Sequence, residues 1–142
     1  MCGIVGVLDT DGGLPDLTVF DGMVDSLTHR GPDGRGVWEG SGVLLGHRRL
    51  AILDPTPAGA QPMVHSAGDI VVTYNGEIYN FREMRNELEA LGHKFATECD
   101  TEVLLAAYLE WGLEAVHRLR GIFAFGLWDK KKRRLWLVRD HL

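Results

Sequence analysis

The residue best placed for covalent chemistry is Cys2, which stands directly behind Met1 in the opening segment MCGIVGVLD. Once Met1 is removed, Cys2 carries both a thiol and a free α-amine. The ordinary pKa of an α-amine is about 7.7–8.0, so this amine can take the thiol proton near neutral pH and return it later. The thiolate can then attack an amide, expel ammonia and leave a thioester for water. The competing interpretation is that Cys2 is a small residue that only packs.

A thiol that cleaves an amide needs hydrogen-bond donors for the oxyanion, and the pair Asn75–Gly76 can supply them. Asn75 has a side-chain amide, and the backbone N–H of Gly76 has no side chain in front of it. Losing one donor of this kind typically costs about 3–4 kcal/mol of barrier. Asn-Gly is also a strong turn signal, so residues 69–77 are predicted to form a strand that ends in a turn at this pair. An ordinary hairpin turn is the alternative interpretation.

Three charged residues could hold the two ends of a free amino acid. Arg49 can form a bidentate pair with an α-carboxylate, and Glu77 or Asp100 can hold an α-ammonium. The alternatives are a surface charge at a strand edge for Arg49 and a helix cap for Asp100. Residue type alone leaves both interpretations open.

The composition argues against several classes of function. The chain has 142 residues, 45% of them hydrophobic and 25% charged, with a net charge of −5, which fits one soluble globular domain. An acidic chain gives no electrostatic reason to bind nucleic acid or an anionic membrane. No apolar run approaches the roughly 20 residues of a membrane span and the start does not resemble a signal peptide, so we expect a cytoplasmic protein. The six histidines and two cysteines lack metal-ligand spacing, which predicts free thiols and no metal site.

Short apolar segments predict the elements that must position these residues. Strands and helices do not alternate strictly, which favours a layered α+β fold of antiparallel hairpins over a parallel sheet. Strands are predicted over 3–9, 69–77, 121–129 and 133–140, with a strand pair over 35–54, and helices over 14–30, 81–91 and 100–112.

Two of the predicted helices begin with capping signals. Asn80 and Glu83 have the spacing of a capping box, with Asn in place of the usual Ser or Thr. Asp100 or Thr101 is expected to cap the third helix. Gly112 is predicted to end that helix, because glycine adopts the left-handed conformation found at helix C-termini.

Taken together, these segments resemble the N-terminal glutaminase domain of asparagine synthetase, a class II glutamine amidotransferase with an N-terminal nucleophile. The resemblance runs nearly end to end, and its motifs occur in the order that the family has. The matching segments are MCGIVG (1–6), HRGPDG (29–34), LGHRRLAILD (45–54), AGAQPM (58–63), YNGEIYNFREMRNELEALGH (74–93), DTEVLLAAYLEWG (100–112), RLRGIFAFGLWD (118–129) and LVRD (137–140).

The resemblance implies an Ntn-hydrolase-like four-layer αββα sandwich with two antiparallel sheets, and hydrolysis of glutamine to glutamate and ammonia. It implies no cofactor in this domain, with ATP and Mg expected only in a synthetase domain. The roles that it implies are a nucleophile with its own amine as base at Cys2, an oxyanion hole at Asn75 and Gly76, a carboxylate clamp at Arg49, pocket-lining backbone at Leu50, Ala51, Ile52 and Leu53, and ammonium-binding carboxylates at Glu77 and Asp100.

Two departures from the family pattern bear on activity. The family's glutaminase domain continues beyond residue 142, so residues 1–142 are expected to be an incomplete domain whose open sheet edges favour self-association. The synthetase half, which uses the ammonia, is absent from this sequence, so a synthetase domain or subunit is the expected partner. The alternatives are a catalytically inactive fragment that retains Met1, and the same glutaminase domain serving a different ammonia acceptor.

Overall fold

The structure is a computed structural model that describes residues 1–11 and 13–141. No helix in these two ranges is long and apolar enough to cross a membrane. The strands in this part of the chain are β1 (Gly3–Leu8), β2 (Gly34–Gly40), β3 (Val43–Arg49), β4 (Met63–Val64), β5 (Ile70–Ile78), β6 (Gly121–Asp129) and β7 (Arg134–Arg139). The α-helices are α1 (Leu17–Asp25), α2 (Phe81–Ala90) and α3 (Asp100–Trp111), and short 3-10 segments cover Pro57–Gly59 and Gly112–Arg118.

The strands form two antiparallel sheets. The first sheet has the strand order β1-β3-β2, and the second has the order β4-β5-β6-β7. Every pair of neighbouring strands runs antiparallel. The predicted α+β fold with two antiparallel sheets is therefore confirmed.

Three apolar clusters show how the sheets and helices are layered. Phe20 of α1 packs on Leu44 of the first sheet. On the opposite face of that sheet, Leu45 meets Val71 of the second sheet. The far face of the second sheet packs against α2 and α3 in the largest cluster. The order is helix, sheet, sheet, helix, as the four-layer prediction requires.

Strand β3, in the centre of the first sheet, is covered on both faces, and its residue pattern agrees with this burial. The segment VLLGHRR begins with a continuous apolar run, which is typical of a strand without a solvent face. A side chain at Gly46 would overlap Val24 of α1 and Val5 of β1, so glycine allows this close packing. The predicted strand pair over 35–54 is correct for β2 and β3 but wrong for residues 50–54, which leave the sheet.

The predicted turn at Asn75–Gly76 is wrong. β5 runs through both residues to Ile78, with Asn75 opposite Ala124 and Gly76 opposite Phe123 of β6. A side chain at Gly76 would overlap the backbone around Phe123, so this glycine serves close strand packing. The local turn signal is overridden by the long-range pairing with β6.

The predicted helix caps are also corrected by the structure. α2 does begin after Asn80, but the Asn80 side chain makes no capping hydrogen bond. Its amide donates to Arg118 O at 2.9 Å and its oxygen accepts from Arg120 N at 2.9 Å. The N-cap position of α3 is Cys99, so neither Asp100 nor Thr101 caps that helix. The prediction that α3 ends at Gly112 is confirmed, since this glycine has φ 60°.

Candidate active site

A cavity of about 310 Å³ opens where the N-terminus, the segment after β3, the end of β5 and the start of α3 meet. This volume lies at the lower end of the usual range for small-molecule sites, about 300–1,000 Å³. Apart from Ala51, every site residue predicted from the sequence lines it, namely Cys2, Arg49, Leu50, Ile52, Leu53, Asn75, Gly76, Glu77 and Asp100.

The Cys2 thiol is held against the backbone of Leu50. Leu50 N donates to Cys2 Sγ at 3.3 Å, and Sγ lies 3.7 Å from Leu50 O. On the other side, Arg30 Nε donates to the Cys2 carbonyl at 3.0 Å. The Leu50 N–H and the Arg30 guanidinium together hold Cys2 in place at the cavity.

Asn75 lies at the cavity wall with unused hydrogen-bonding capacity. Its Oδ1 is buried and has no hydrogen-bond partner among residues 1–11 and 13–141. Two positions earlier on the same face of β5, the Thr73 hydroxyl donates across the sheet interface to Gly46 O at 3.1 Å. The alternation of β5 therefore directs Asn75 toward the inter-sheet side, where Cys2 also lies.

Arg49 both lines the cavity and holds the loop that follows it. Its Nη1 donates to Thr56 O at 2.9 Å, and its Nη2 donates to Leu53 O at 3.2 Å and also to Asp54 O. These three bonds use Nη1 and Nη2, and no hydrogen bond from Nε is found within residues 1–11 and 13–141. The predicted carboxylate clamp thus has an additional structural role that the sequence did not reveal.

The segment after β3 leaves the sheet, and its backbone is hydrogen-bonded to Asp33. Asp33 N donates to Arg49 O at 2.9 Å, and Ala51 N donates to Asp33 Oδ2 at 2.9 Å. Leu50, Ile52 and Leu53 line the cavity, but Ala51 is not among the lining residues. Ala51 instead has its backbone N–H bound to Asp33, and its predicted place in the glutamine pocket stays a prediction.

The two predicted ammonium-binding carboxylates have different surroundings. Asp100 is 4% exposed, and its Oδ2 accepts from the Tyr74 hydroxyl at 2.7 Å and from Ile78 N at 3.0 Å. Glu77 lines the same cavity but is exposed to solvent. Asp100 is accordingly the carboxylate with the fixed geometry.

Sequence reasoning missed Gln61 as a residue that builds the cavity. Gln61 Oε1 accepts from Tyr74 N at 2.7 Å, and its Nε2 donates to Thr101 Oγ1 at 3.4 Å. One side chain thus joins β5 to the first turn of α3. In the sequence, Gln61 is an isolated amide side chain in segment 55–63, which Pro and Gly residues interrupt. This pattern does not predict its distant partners.

The second cysteine, Cys99, also lines the cavity but is 4% exposed. Its sulfur lies 2.9 Å from Thr97 Oγ1. Burial raises the pKa of the Cys99 thiol, and the hydrogen bond with Thr97 offsets only part of this effect. A thiol in these surroundings stays protonated near neutral pH and is a poor nucleophile.

The family of the chain follows from a match over its full length. Residues 1–142 match the family model described as a glutamine amidotransferase domain. The chain belongs to this family. The resemblance noted in the sequence is thereby confirmed, and the cavity around Cys2 is the candidate active site of an amidotransferase domain.

Curated relatives of this amidotransferase domain are asparagine synthetases. The glutamine-hydrolyzing asparagine synthetase 3 of Bacillus subtilis is 45% identical over 145 residues, with 100% of this chain and 24% of the relative aligned. The glutamine-hydrolyzing asparagine synthetase 1 of Arabidopsis thaliana is 41% identical over 142 residues, with 99% and 24% aligned. The chain thus spans about a quarter of the length of these relatives.

Solved structures share the fold at low sequence identity. The glutamine phosphoribosylpyrophosphate amidotransferase from B. subtilis, complexed with ADP and GMP, aligns with a TM-score of 0.53 at 21% identity, covering 89% of this chain and 29% of that one. An allosteric regulatory enzyme of purine biosynthesis aligns with a TM-score of 0.58 at 21% identity, covering 96% and 31%. These similarities confirm the predicted Ntn-hydrolase-like fold.

Proposed function

We propose that this chain hydrolyses glutamine to glutamate and ammonia with Cys2 as the nucleophile. The observation that carries the proposal is the convergence on one cavity of the Cys2 thiol, the Asn75 amide, the Arg49 guanidinium and the Asp100 carboxylate. These groups come from four separate parts of the chain. Together they match the reacting amide and both charged ends of free glutamine.

The reaction would begin once Met1 has been removed and the Cys2 amine is free. The amine takes the thiol proton, and the thiolate attacks the side-chain amide carbon of glutamine. The Asn75 amide and the Gly76 N–H stabilise the tetrahedral oxyanion. The protonated amine then gives its proton to the leaving nitrogen, and ammonia departs from a thioester. Water, deprotonated by the same amine, attacks the thioester and releases glutamate and the thiol.

The charged ends of glutamine would be held by groups outside the reacting centre. The positively charged Arg49 guanidinium, which lines the cavity, suits the α-carboxylate. Asp100 suits the α-ammonium, with Glu77 on the exposed side. No cofactor takes part in this scheme, and no metal is assigned to the site.

The ammonia would pass to a synthetase domain or subunit that binds ATP and Mg. Relatives at 38–45% identity are named asparagine synthetases, which favours asparagine formation as the use of this ammonia. A different acceptor is the second candidate, because the structurally similar phosphoribosylpyrophosphate amidotransferase has the same fold. The proposed location is the cytoplasm.

The proposal is tested by comparing the two cysteines of the same cavity. Met1-free protein is expected to release ammonia and glutamate in equal amounts from glutamine. Cys2→Ala should reduce this release to background, because the variant has no nucleophile. Cys99→Ala is the matched control and should retain turnover, since Cys99 is buried and protonated. Equal ammonia release by the parent protein and Cys2→Ala would contradict the proposal.

A further inference from the structure

We propose that Tyr74 is a positioning residue for substrate binding, whose hydroxyl holds the Asp100 carboxylate so that its second oxygen faces the α-ammonium of the substrate. The inference rests on the proposed function, since it concerns the same cavity. It adds a residue to which neither the sequence resemblance nor any of the implied roles assigns a part.

The carboxylate of Asp100 is bonded on one oxygen only. Oδ2 accepts from the Tyr74 hydroxyl at 2.7 Å and from Ile78 N at 3.0 Å. Within residues 1–11 and 13–141, no hydrogen bond reaches Oδ1, although this residue is 4% exposed and lines the cavity. The two donors therefore fix the plane of the carboxylate and leave one oxygen for a ligand with N–H donors.

Tyr74 is itself held rigidly enough to do this. Its side chain is 3% exposed, and its backbone N–H donates to Gln61 Oε1 at 2.7 Å. Burial raises the pKa of the Tyr74 hydroxyl well above its ordinary value, and the charge of Asp100 raises it further. The hydroxyl thus stays protonated and acts as a donor to Asp100 at any pH at which the protein works.

A buried carboxylate depends on such donors for its orientation. Removing the hydroxyl leaves Ile78 N as the remaining donor to Asp100 and frees the carboxylate to rotate. Hydrogen bonds to charged groups are strong enough for their loss to weaken binding about ten- to hundredfold. Only ligands that carry an α-ammonium should lose binding affinity. The chemical step at Cys2 does not use Tyr74, so kcat should change little.

The test compares Tyr74→Phe with Tyr108→Phe. Tyr108 is a matched control because its hydroxyl donates to the buried Asp129 at 2.8 Å, in a Tyr–Asp pair that is not part of the cavity. Tyr74→Phe should raise KM for glutamine about ten- to hundredfold with kcat within about threefold. It should leave unchanged the inhibition constant of glutaramic acid, the glutamine analogue that lacks the α-amine. Tyr108→Phe should change neither constant, and thermal melting checks that both variants are folded.

Binding of glutamine to Cys2→Ala, measured by calorimetry with and without Tyr74→Phe, separates this inference from the proposed function. If the parent protein has no turnover but Tyr74→Phe still weakens glutamine binding selectively, the proposed function fails and the inference stands. If Tyr74→Phe leaves the affinity for glutamine unchanged, or weakens glutamine and glutaramic acid equally, the inference is overturned. It is also overturned if glutamine does not bind.

Discussion

Cys2 and Cys99 line the same cavity, but their thiols have different surroundings. Cys2 receives a backbone N–H and is partly exposed, whereas Cys99 is buried beside Thr97 with a raised pKa. The sequence could single out Cys2, because its proposed role depends on its place directly after Met1, which the sequence itself shows. It could not reveal Tyr74 or Gln61, because their contacts join segments that are 26 and 40 residues apart.

His47 is the buried titratable residue whose environment has the clearest consequence for stability. It is 1% exposed, its Nδ1 lies 3.2 Å from Thr73 Oγ1, and its Nε2 has no hydrogen-bond partner among the described residues. Burial and the nearby charge of Arg49 lower the pKa of His47 from 6.5 to about 4. The folded protein therefore keeps His47 neutral where the unfolded chain would protonate it.

Replacing His47 should reduce the loss of stability in acid. Between pH 6.5 and 4 the unfolded chain binds a proton at His47 that the native state does not, so stability falls as the pH falls through this range. Above pH 6.5 this loss of stability vanishes. At pH 5 it lowers the free energy of unfolding by about 2 kcal/mol.

Urea unfolding at pH 7.5 and pH 5 measures the difference. His47→Gln should lose about 2 kcal/mol less than the parent between these two conditions. His29→Gln, at an exposed histidine, is the control and should behave like the parent. Equal losses in the parent and in His47→Gln would show that the buried imidazole is not the cause.

At the scale of the elements, apolar runs and glycines predicted β6, β7, α2 and α3 closely. Their ends are set by local signals, such as the glycine at the end of α3. The failures at Asn75–Gly76 and Asp100 have one cause, which is that each residue meets a partner from a distant element. Asn75 and Gly76 pair with β6, and Asp100 accepts from the Tyr74 hydroxyl. No pattern confined to one segment contains these contacts.

The contact between β2 and the Gln61–Pro62 segment gives a prediction at this scale. A side chain at Gly36 would overlap the carbonyl of Gln61 and touch Pro62. Gly36→Ala should therefore displace Gln61, cost about 1–3 kcal/mol of folding stability and lower glutamine turnover, although Gly36 does not line the cavity.

Gly22→Ala is the matched control for Gly36→Ala. Gly22 lies inside α1, and a side chain there would meet nothing within 4 Å. Alanine should stabilise the helix by up to about 1 kcal/mol and leave turnover unchanged. Urea unfolding and the ammonia assay are measured on both variants. Parent-like stability and activity in Gly36→Ala would refute the proposed coupling between β2 and the cavity.

At the scale of the whole molecule, the sequence predicted the class of the fold better than its assembly. The absence of strict alternation indicated α+β, while the four layers came from the resemblance to a family. The strand orders β1-β3-β2 and β4-β5-β6-β7 appear only in the structure. This assembly brings the N-terminus to the cavity, since β1 starts at Gly3 and pairs with β3. Met1 and Cys2 therefore both lie at the cavity.

Glutamine turnover before and after removal of Met1 is the most direct test of the central claim, which is that Cys2 uses its own α-amine as the base. The protein is prepared with Met1 retained and treated with methionine aminopeptidase, and intact mass reports the state of the N-terminus. Turnover should be at background with Met1 present, where the Cys2 nitrogen is an amide, and should appear as Met1 is removed. Equal turnover by protein whose mass still includes Met1 would contradict the account.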